Sequence, residues 1–148
     1  MNCAEALKHP KPIAPSIPIV HVVAAALIDG EGRILLAQRP QGKSFAGQWE
    51  FPGGKLEKNE LPEYALMREL EEELGIQTRP CCFFPIGFAS HSYEDFHLMM
   101  PLYTCRIWQG EIDAKEHQKL AWVRPQDLHD YPLLEADIPL VASLRACL

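Results

Sequence analysis

Apolar residues arrive along this chain in two rhythms. From Ile19 to Ile28 (IVHVVAAALI) they run almost without interruption and are rich in β-branched side chains, the pattern of a strand covered on both faces. His21, alone in that run, is expected to be packed rather than functional. Asp29-Gly30-Glu31-Gly32 signals a turn, so Arg33–Arg39 is expected to return as a hairpin partner. The polar stretch Gln41–Gln48, with Gly42 and Gly47, reads as a loop. Trp49–Pro52 reads as a short strand running into Gly53-Gly54. The rhythm then changes: Leu66, Met67, Leu70 and Leu74 recur at helical spacing between Pro62 and Gly75. Proline suits a first helical position, where its missing N–H would be unpaired anyway, and glycine suits the residue just past the last turn. Strand-like segments return at Cys82–Ser92 and His97–Trp108, which can pair as a hairpin around Glu94-Asp95. Pro101 points to a sheet edge or a bulge there. Lys119–Arg124 is a further short strand, Pro125–Leu128 starts a helical turn, and Asp137–Ala146 is a helix with Leu140, Val141 and Leu144 inward.

Strands on both sides of one helix, then a terminal helix, make an α+β sandwich. Residues 1–18, with four prolines, are expected to form a loosely ordered tail, and residues 19–148 one domain. No apolar run reaches the length of a membrane span, and the start lacks the basic and apolar segments of a secretory signal. The expectation is a cytoplasmic protein, monomeric and without a membrane partner. The net charge of −6 argues against stable nucleic-acid binding but not against a nucleotide substrate, because a bound cation supplies positive charge locally. The five cysteines are odd in number, and their spacing fits no zinc pattern, so free thiols are expected.

The chemistry concentrates around the helix. Glu57, Glu60, Glu63, Glu69, Glu71, Glu72 and Glu73 crowd one segment, with Glu50 just ahead of it. On the helix Glu69, Glu72 and Glu73 share one face beside small Ala65, next to the leucine stripe. Like charges at that spacing repel, and a divalent cation reverses the sign. Clustered hard oxygens suit Mg²⁺, Mn²⁺ or Ca²⁺, and Mg²⁺ takes few carboxylates together with waters and substrate phosphates. A solvated acidic face is the alternative for a charge run taken alone.

The spacing Gly54, Glu60, Arg68-Glu69-Leu70, Glu72-Glu73, Gly75-Ile76 resembles the Nudix box of nucleoside-diphosphate-linked hydrolases, with every fixed position filled. LLAQRP followed by GQWEFPGGK is similar to the MutT branch of that family. The resemblance implies the Nudix fold, a mixed β-sheet sandwiched between helices. It implies Mg²⁺ (or Mn²⁺) bound by Glu72, Glu73 and the carbonyl of Gly53, with Glu69 a further ligand or the group that handles the water. From AKEHQKLAW it adds Glu116 as a late-loop ligand. Arg68 and Glu60 become supporting groups, and Arg39 approaches the phosphates; Gly54 belongs to the substrate site. YPLLEADIPLV is similar to the late MutT segment whose Asn or Asp meets the base, which makes Asp137 the base contact; a helix N-cap is its other reading. Stacking is open among Phe83, Phe88, Tyr93 and Phe96.

The implied activity is hydrolysis of 8-oxo-dGTP to 8-oxo-dGMP and pyrophosphate, in sanitation of the nucleotide pool. A CTP or 5-methyl-dCTP pyrophosphohydrolase of the same family is the alternative, since EHQKLAW and YPLLEADIPL are similar to that branch too. A dinucleoside polyphosphate hydrolase has only Tyr93 in its favour. A non-catalytic Nudix-fold binding domain is the reading of another class. The pattern departs in three places: Leu61 stands where Ser or Thr usually caps the helix, Leu134-Glu135 replaces Pro-Pro, and Phe96 stands where one member has an arginine at the nucleotide.

Overall fold

A run of small and branched residues, β1 (Ile19–Leu27), lies at the centre of the fold. The computed structural model describes residues 1–116 and 118–148. Val23 through Ile28 are at most 1% exposed, because layers cover both faces of the sheet. Val23, Ala25 and Leu27 pack against Leu66, Leu70 and Leu74 of the long helix α2 (Pro62–Leu74). Ala24, Ala26 and Ile28 face Leu140, Val141 and Leu144 of the C-terminal helix α3 (Ile138–Cys147). A mixed sheet thus lies between helices, as the sequence implied. Its strand order is β4-β1-β6-β5, with β4 (Gly53–Lys55), β5 (Phe83–Ser92) and β6 (His97–Cys105). β1 runs antiparallel to β4 and parallel to β6.

The expected hairpin of Ile19–Ile28 with Arg33–Arg39 does not form. The turn is there, with Asp29 Oδ1 accepting from the Glu31 and Arg33 amides at 3.0 and 2.8 Å. The two strands touch only at the Ile28–Ile34 bridge. Both edges of β1 are already taken, so β2 (Ile34–Gln38) enters a second, three-stranded sheet between β3 (Trp49–Glu50) and β7 (Lys119–Val123). The glycine pair Gly53-Gly54 opens strand β4. Pro101 lies in β6, which has neighbours on both sides: the β1–β6 ladder is broken opposite it, and the one register shift of the β5–β6 pair falls at Pro85/Gly87. His21 is exposed, because β1 runs out beyond the helix that covers its centre.

The boundaries of α2 are as expected. Gly75 is left-handed, with φ of 70°, and its N–H closes on the Glu71 carbonyl. Leu61 gives no side-chain cap, a loss of about 1 kcal/mol relative to Ser or Thr. In the tail, one turn (Cys3–Ala6) is closed by a capping box between Asn2 and Glu5, and none of its residues is buried. Short 3₁₀ turns occupy Pro80–Cys82 and Pro125–Asp130. Among the described residues no helix is long and apolar enough to cross a membrane.

Candidate active site

The leucine face of α2 fixes the rotation of the helix, and that rotation aims Glu69 and Glu73 away from the core. They enter a cleft of about 560 Å³ that also takes in Gly53, Gly54, Glu50 and Glu116. Glu73 is held there by the Gly53 N–H, which donates to its Oε2 at 3.2 Å. Burial, reinforced by the nearby charges of Glu69, Glu116 and Glu50, pushes its carboxyl up to about 9. Burial also raises Glu69, against the pull of Arg68. A cation would offset the mutual repulsion of such a set.

Arg68 braces this end. Its Nη2 and Nε donate to Glu60 at 2.8 and 3.0 Å, its Nη1 to Glu69 Oε1 at 2.8 Å, and its Nη2 also to the Lys55 carbonyl at 3.1 Å. The guanidinium hydrogen bonds, with the Glu57 amide added, hold Glu60 down at about 2. The Arg68 contact with Glu72, one turn on, is the loosest of its side-chain hydrogen bonds, at 3.5 Å. Glu72 lies at the rim with 56% of its side chain exposed, outside the cleft lining.

The late loop is docked by the end of the helix. The unpaired carbonyls of its last turn accept from Asp113 N–H, from Lys115 N–H and from Gln118 Nε2, each at 3.0 Å. Gln118 in turn accepts the Glu116 N–H at 3.0 Å. Glu116 is thereby hung over the cleft, 3.4 Å from Lys43.

The two glycines have different reasons. A Cβ on Gly53 would sit 2.0 Å from the Val23 carbonyl oxygen, so it is the close approach of β1 that forbids a side chain. A Cβ on Gly54 would meet the Glu69 carboxyl carbon at 2.3 Å. Gly54 therefore leaves a cradle that the Glu69 carboxylate fills.

Arg39 lines the cleft but is engaged: its Nε donates to the Ser44 carbonyl at 2.7 Å and its Nη1 to both Glu50 oxygens at 3.2 and 3.1 Å. Burial raises the Glu50 carboxyl in spite of this pairing. Glu50 was not singled out for the site from the sequence; the signal was an acid beside the Phe51-Pro52-Gly53-Gly54 turn. Farther in lies Asp137, 3% exposed, whose Oδ2 accepts the Phe51 N–H at 3.2 Å. It stands at the N-cap position of α3 but makes no side-chain cap there. Burial, then the charge of Glu50, pushes its carboxyl up to about 8.

That shift has a stability consequence. The folded state keeps the Asp137 proton well above the usual carboxylate range, so stability is lost as pH rises from about 4 to 8. Asp137→Asn keeps an acceptor for Phe51 and cannot ionise. Thermal melts at pH 5, 7 and 9 should favour the variant increasingly over the wild type, and a pH-independent gap would exclude a buried proton.

The opposite end of the cleft is apolar, with Leu98, Met100, Leu134 and Ala136. Of the stacking candidates, Phe83 is in the core and Phe88 is 63% exposed outside the cleft. Tyr93 and Phe96 line the cleft and stack on each other at 4.9 Å. Phe45, from the loop after β2, joins them and was not anticipated.

A divalent cation fits this donor set. Glu69, Glu73 and Glu116 bring hard carboxylate oxygens to the cleft that Gly53 also lines. Among the described residues no three acidic, His or Cys side chains close in tightly enough to hold an ion.

A model of the NUDIX domain matches residues 23–143. The chain is 43% identical over 128 residues to the CTP pyrophosphohydrolase of Escherichia coli (strain K12), covering 84% of this chain and 90% of that one. It is 38% identical over 97 residues to the 8-oxo-dGTP diphosphatase of Proteus vulgaris, covering 66% and 85%. Among solved structures, the Escherichia coli ORF135 protein superposes with a TM-score of 0.77 at 38% identity, covering 88% and 91%. The MutT Nudix hydrolase of Burkholderia pseudomallei gives 0.74 at 32% identity, covering 84% and 97%.

Proposed function

The chain belongs to the NUDIX domain family and is a hydrolase of phosphoric anhydrides, and from that premise we propose that it is a nucleoside triphosphate diphosphatase acting on oxidised purines. Its reaction would convert 8-oxo-dGTP and water to 8-oxo-dGMP and pyrophosphate. The supporting observation is the composition of one cleft: paired, partly buried acids at one end, stacked rings and a buried Asp137 at the other.

Glu69, Glu73, Glu116 and the Gly53 carbonyl would hold a divalent ion, Mg²⁺ by the chemistry of its donors, and Glu72 would join from the rim. When bound, Mg²⁺ neutralises phosphate charge and lowers the pKa of a bound water. The remaining work falls to the chain. Arg68 occupies Glu69 Oε1, leaving Oε2 as the atom to accept a proton from the attacking water, if it is not itself a ligand. The Gly53 N–H fixes the orientation of Glu73. Glu50 and the Ser44 carbonyl hold Arg39 at the cleft wall, where its charge faces the phosphates. The apolar end excludes water from the base.

Asp137, as the base contact, presents one donor and one acceptor when protonated. The O6/N1–H edge of guanine complements that pair, and so does the N3/N4–H edge of cytosine. The second reading, a CTP or 5-methyl-dCTP pyrophosphohydrolase, therefore stays open, and the 43% identity to the CTP enzyme favours it. The discriminating measurement is kcat/KM with Mg²⁺ for 8-oxo-dGTP, dGTP, CTP and 5-methyl-dCTP. The proposal expects 8-oxo-dGTP to lead by at least about tenfold, about 1.4 kcal/mol of transition-state preference. A lead for the pyrimidines would move the assignment to the second reading. No pyrophosphate from any of the four would end both.

A further inference from the structure

We propose that Phe45 is a base-stacking residue, brought to the cleft by the loop between β2 and β3, and that the nucleotide base is gripped between it and Tyr93. The inference rests on the reading that the cleft takes a nucleotide.

The first observation is the backbone. Among the described residues only Phe45 and Asn59 hold a positive φ without being glycine, at 57° and 62°. Asn tolerates this region through its short polar side chain; a bulky aromatic does not, and persists there only when something holds it. Burial is not what holds it, since Phe45 is 47% exposed. A strained, half-exposed ring at the mouth of a cleft is an expensive arrangement for a residue with only a packing role.

The second observation is the company it keeps. The Phe45 ring lies 5.8 Å from Tyr93, tilted by 46°. Tyr93 is itself backed by Phe96 at 4.9 Å and by the edge of His91 at 4.7 Å. One partner is thus rigidly supported and the other comes from a loop. Asp137 lines the same cleft. Two stacking contacts of about 3.5 Å each need about 7 Å between rings. The present centroid separation is 5.8 Å with the rings tilted by 46°, so a base enters when the Phe45 ring turns parallel to Tyr93 and the separation widens by about 1 Å.

The third observation is how the loop is tied. Gly42 and Gly47, at φ of 89° and 86°, flank Phe45, and no atom lies within 4 Å of where a Cβ would stand on either. The loop base is closed by Gly47 N–H to the Arg39 carbonyl at 2.9 Å and by Gln48 N–H to the Phe45 carbonyl at 3.1 Å. Its outer side is tied through Lys43 to Glu116, at 3.4 Å, and through the Ser44 carbonyl, which accepts from Arg39 Nε at 2.7 Å. Both ties are polar and lead back to the acids, to Glu116 directly and to Glu50 through Arg39.

The test uses binding rather than turnover. Wild type, Phe45→Gly and Phe45→Trp are titrated calorimetrically with 8-oxo-dGMP, dGMP and CMP, and with pyrophosphate as a probe that has no base. Phe45→Gly should weaken nucleoside monophosphate binding about tenfold or more, leave pyrophosphate within twofold, and melt no lower than wild type because glycine relieves the strained φ. Phe45→Trp should bind the nucleotides within about threefold of wild type. Unchanged monophosphate affinity in Phe45→Gly would overturn the proposal. So would a lower melting point with nucleotide and pyrophosphate affinity lost together, which is the signature of packing. A wild type that binds monophosphates but hydrolyses no triphosphate removes the proposed activity and leaves the stacking standing. Hydrolysis with KM unaltered by Phe45→Gly does the reverse.

Discussion

Glu73→Gln is expected to lower pyrophosphate release by about a thousandfold while leaving the fold intact. Glu73 is the acid set deepest at the ion end, pushed up to about 9 by burial and by three acidic neighbours. A carboxyl so placed is costly as an anion until a cation arrives, and its negative charge is what the cation would meet. The amide keeps the shape and still accepts the Gly53 N–H, so packing and the β4–α2 contact survive. What disappears is one anionic oxygen donor, and losses on the scale of a metal or oxyanion contact are about two to four orders of magnitude. Two measurements check this. The first is the pyrophosphate rate with saturating Mg²⁺; a variant within tenfold of wild type would remove Glu73 from the site. The second is the rise in melting temperature on adding Mg²⁺, which follows from binding to the folded state alone and should shrink in the variant. Glu72→Gln is the companion arm. A loss of the same order would mean that Glu72 swings inward from its 3.5 Å contact with Arg68. A loss under tenfold would leave it at the rim.

What was legible in the chain was whatever is decided locally. The span of α2 could be drawn from Pro62, the leucine spacing and Gly75, because each acts within one turn of itself. The acid set on its outer face followed from the same periodicity. Strand pairing did not follow, because it depends on which edges remain open. Asp29 makes the expected turn, but β1 is paired by β4 and β6, so β2 joins the other sheet. β4 is a Gly-Gly-Lys strand without strand propensity, and it forms because β1 offers a free edge beside it. Glu50 and Phe45 belong to the same class of omission. The burial of Glu50 depends on Arg39 reaching across from β2, and the place of Phe45 on Tyr93, a distant residue in sequence. Phe45 lies within a polar, glycine-bearing stretch and carries no local signature. Asp137 shows the limit from the other side: its segment read as a base contact or a helix N-cap, and the carboxyl makes no cap but accepts from the buried Phe51 amide.

Gly53→Ala should cost about 4 kcal/mol of folding stability, whereas Gly54→Ala should leave stability nearly unchanged and lose activity. The two glycines are adjacent, yet what a methyl would strike is different in kind. At Gly53 the obstacles are the Val23 carbonyl oxygen at 2.0 Å and the Ala24 Cα at 2.8 Å, backbone of the central strand. β1 is fixed by β4 and β6 along its length and by helices on both faces, so it has nowhere to retreat. Overpacking of a tight core costs about 1–3 kcal/mol even where side chains can give, and a backbone clash lies above that range. At Gly54 the obstacle is the end of the Glu69 side chain, with its three terminal atoms between 2.3 and 2.6 Å. That carboxylate can rotate aside, at the expense of its 2.8 Å bond to Arg68 and of its place over the cleft. Denaturant melts and hydrolysis rates on the two variants separate the effects. Comparable stability in both would mean that the β1–β4 approach is softer than the register implies. Full activity in Gly54→Ala would mean that Glu69 does its work from a position other than the cradle above that glycine.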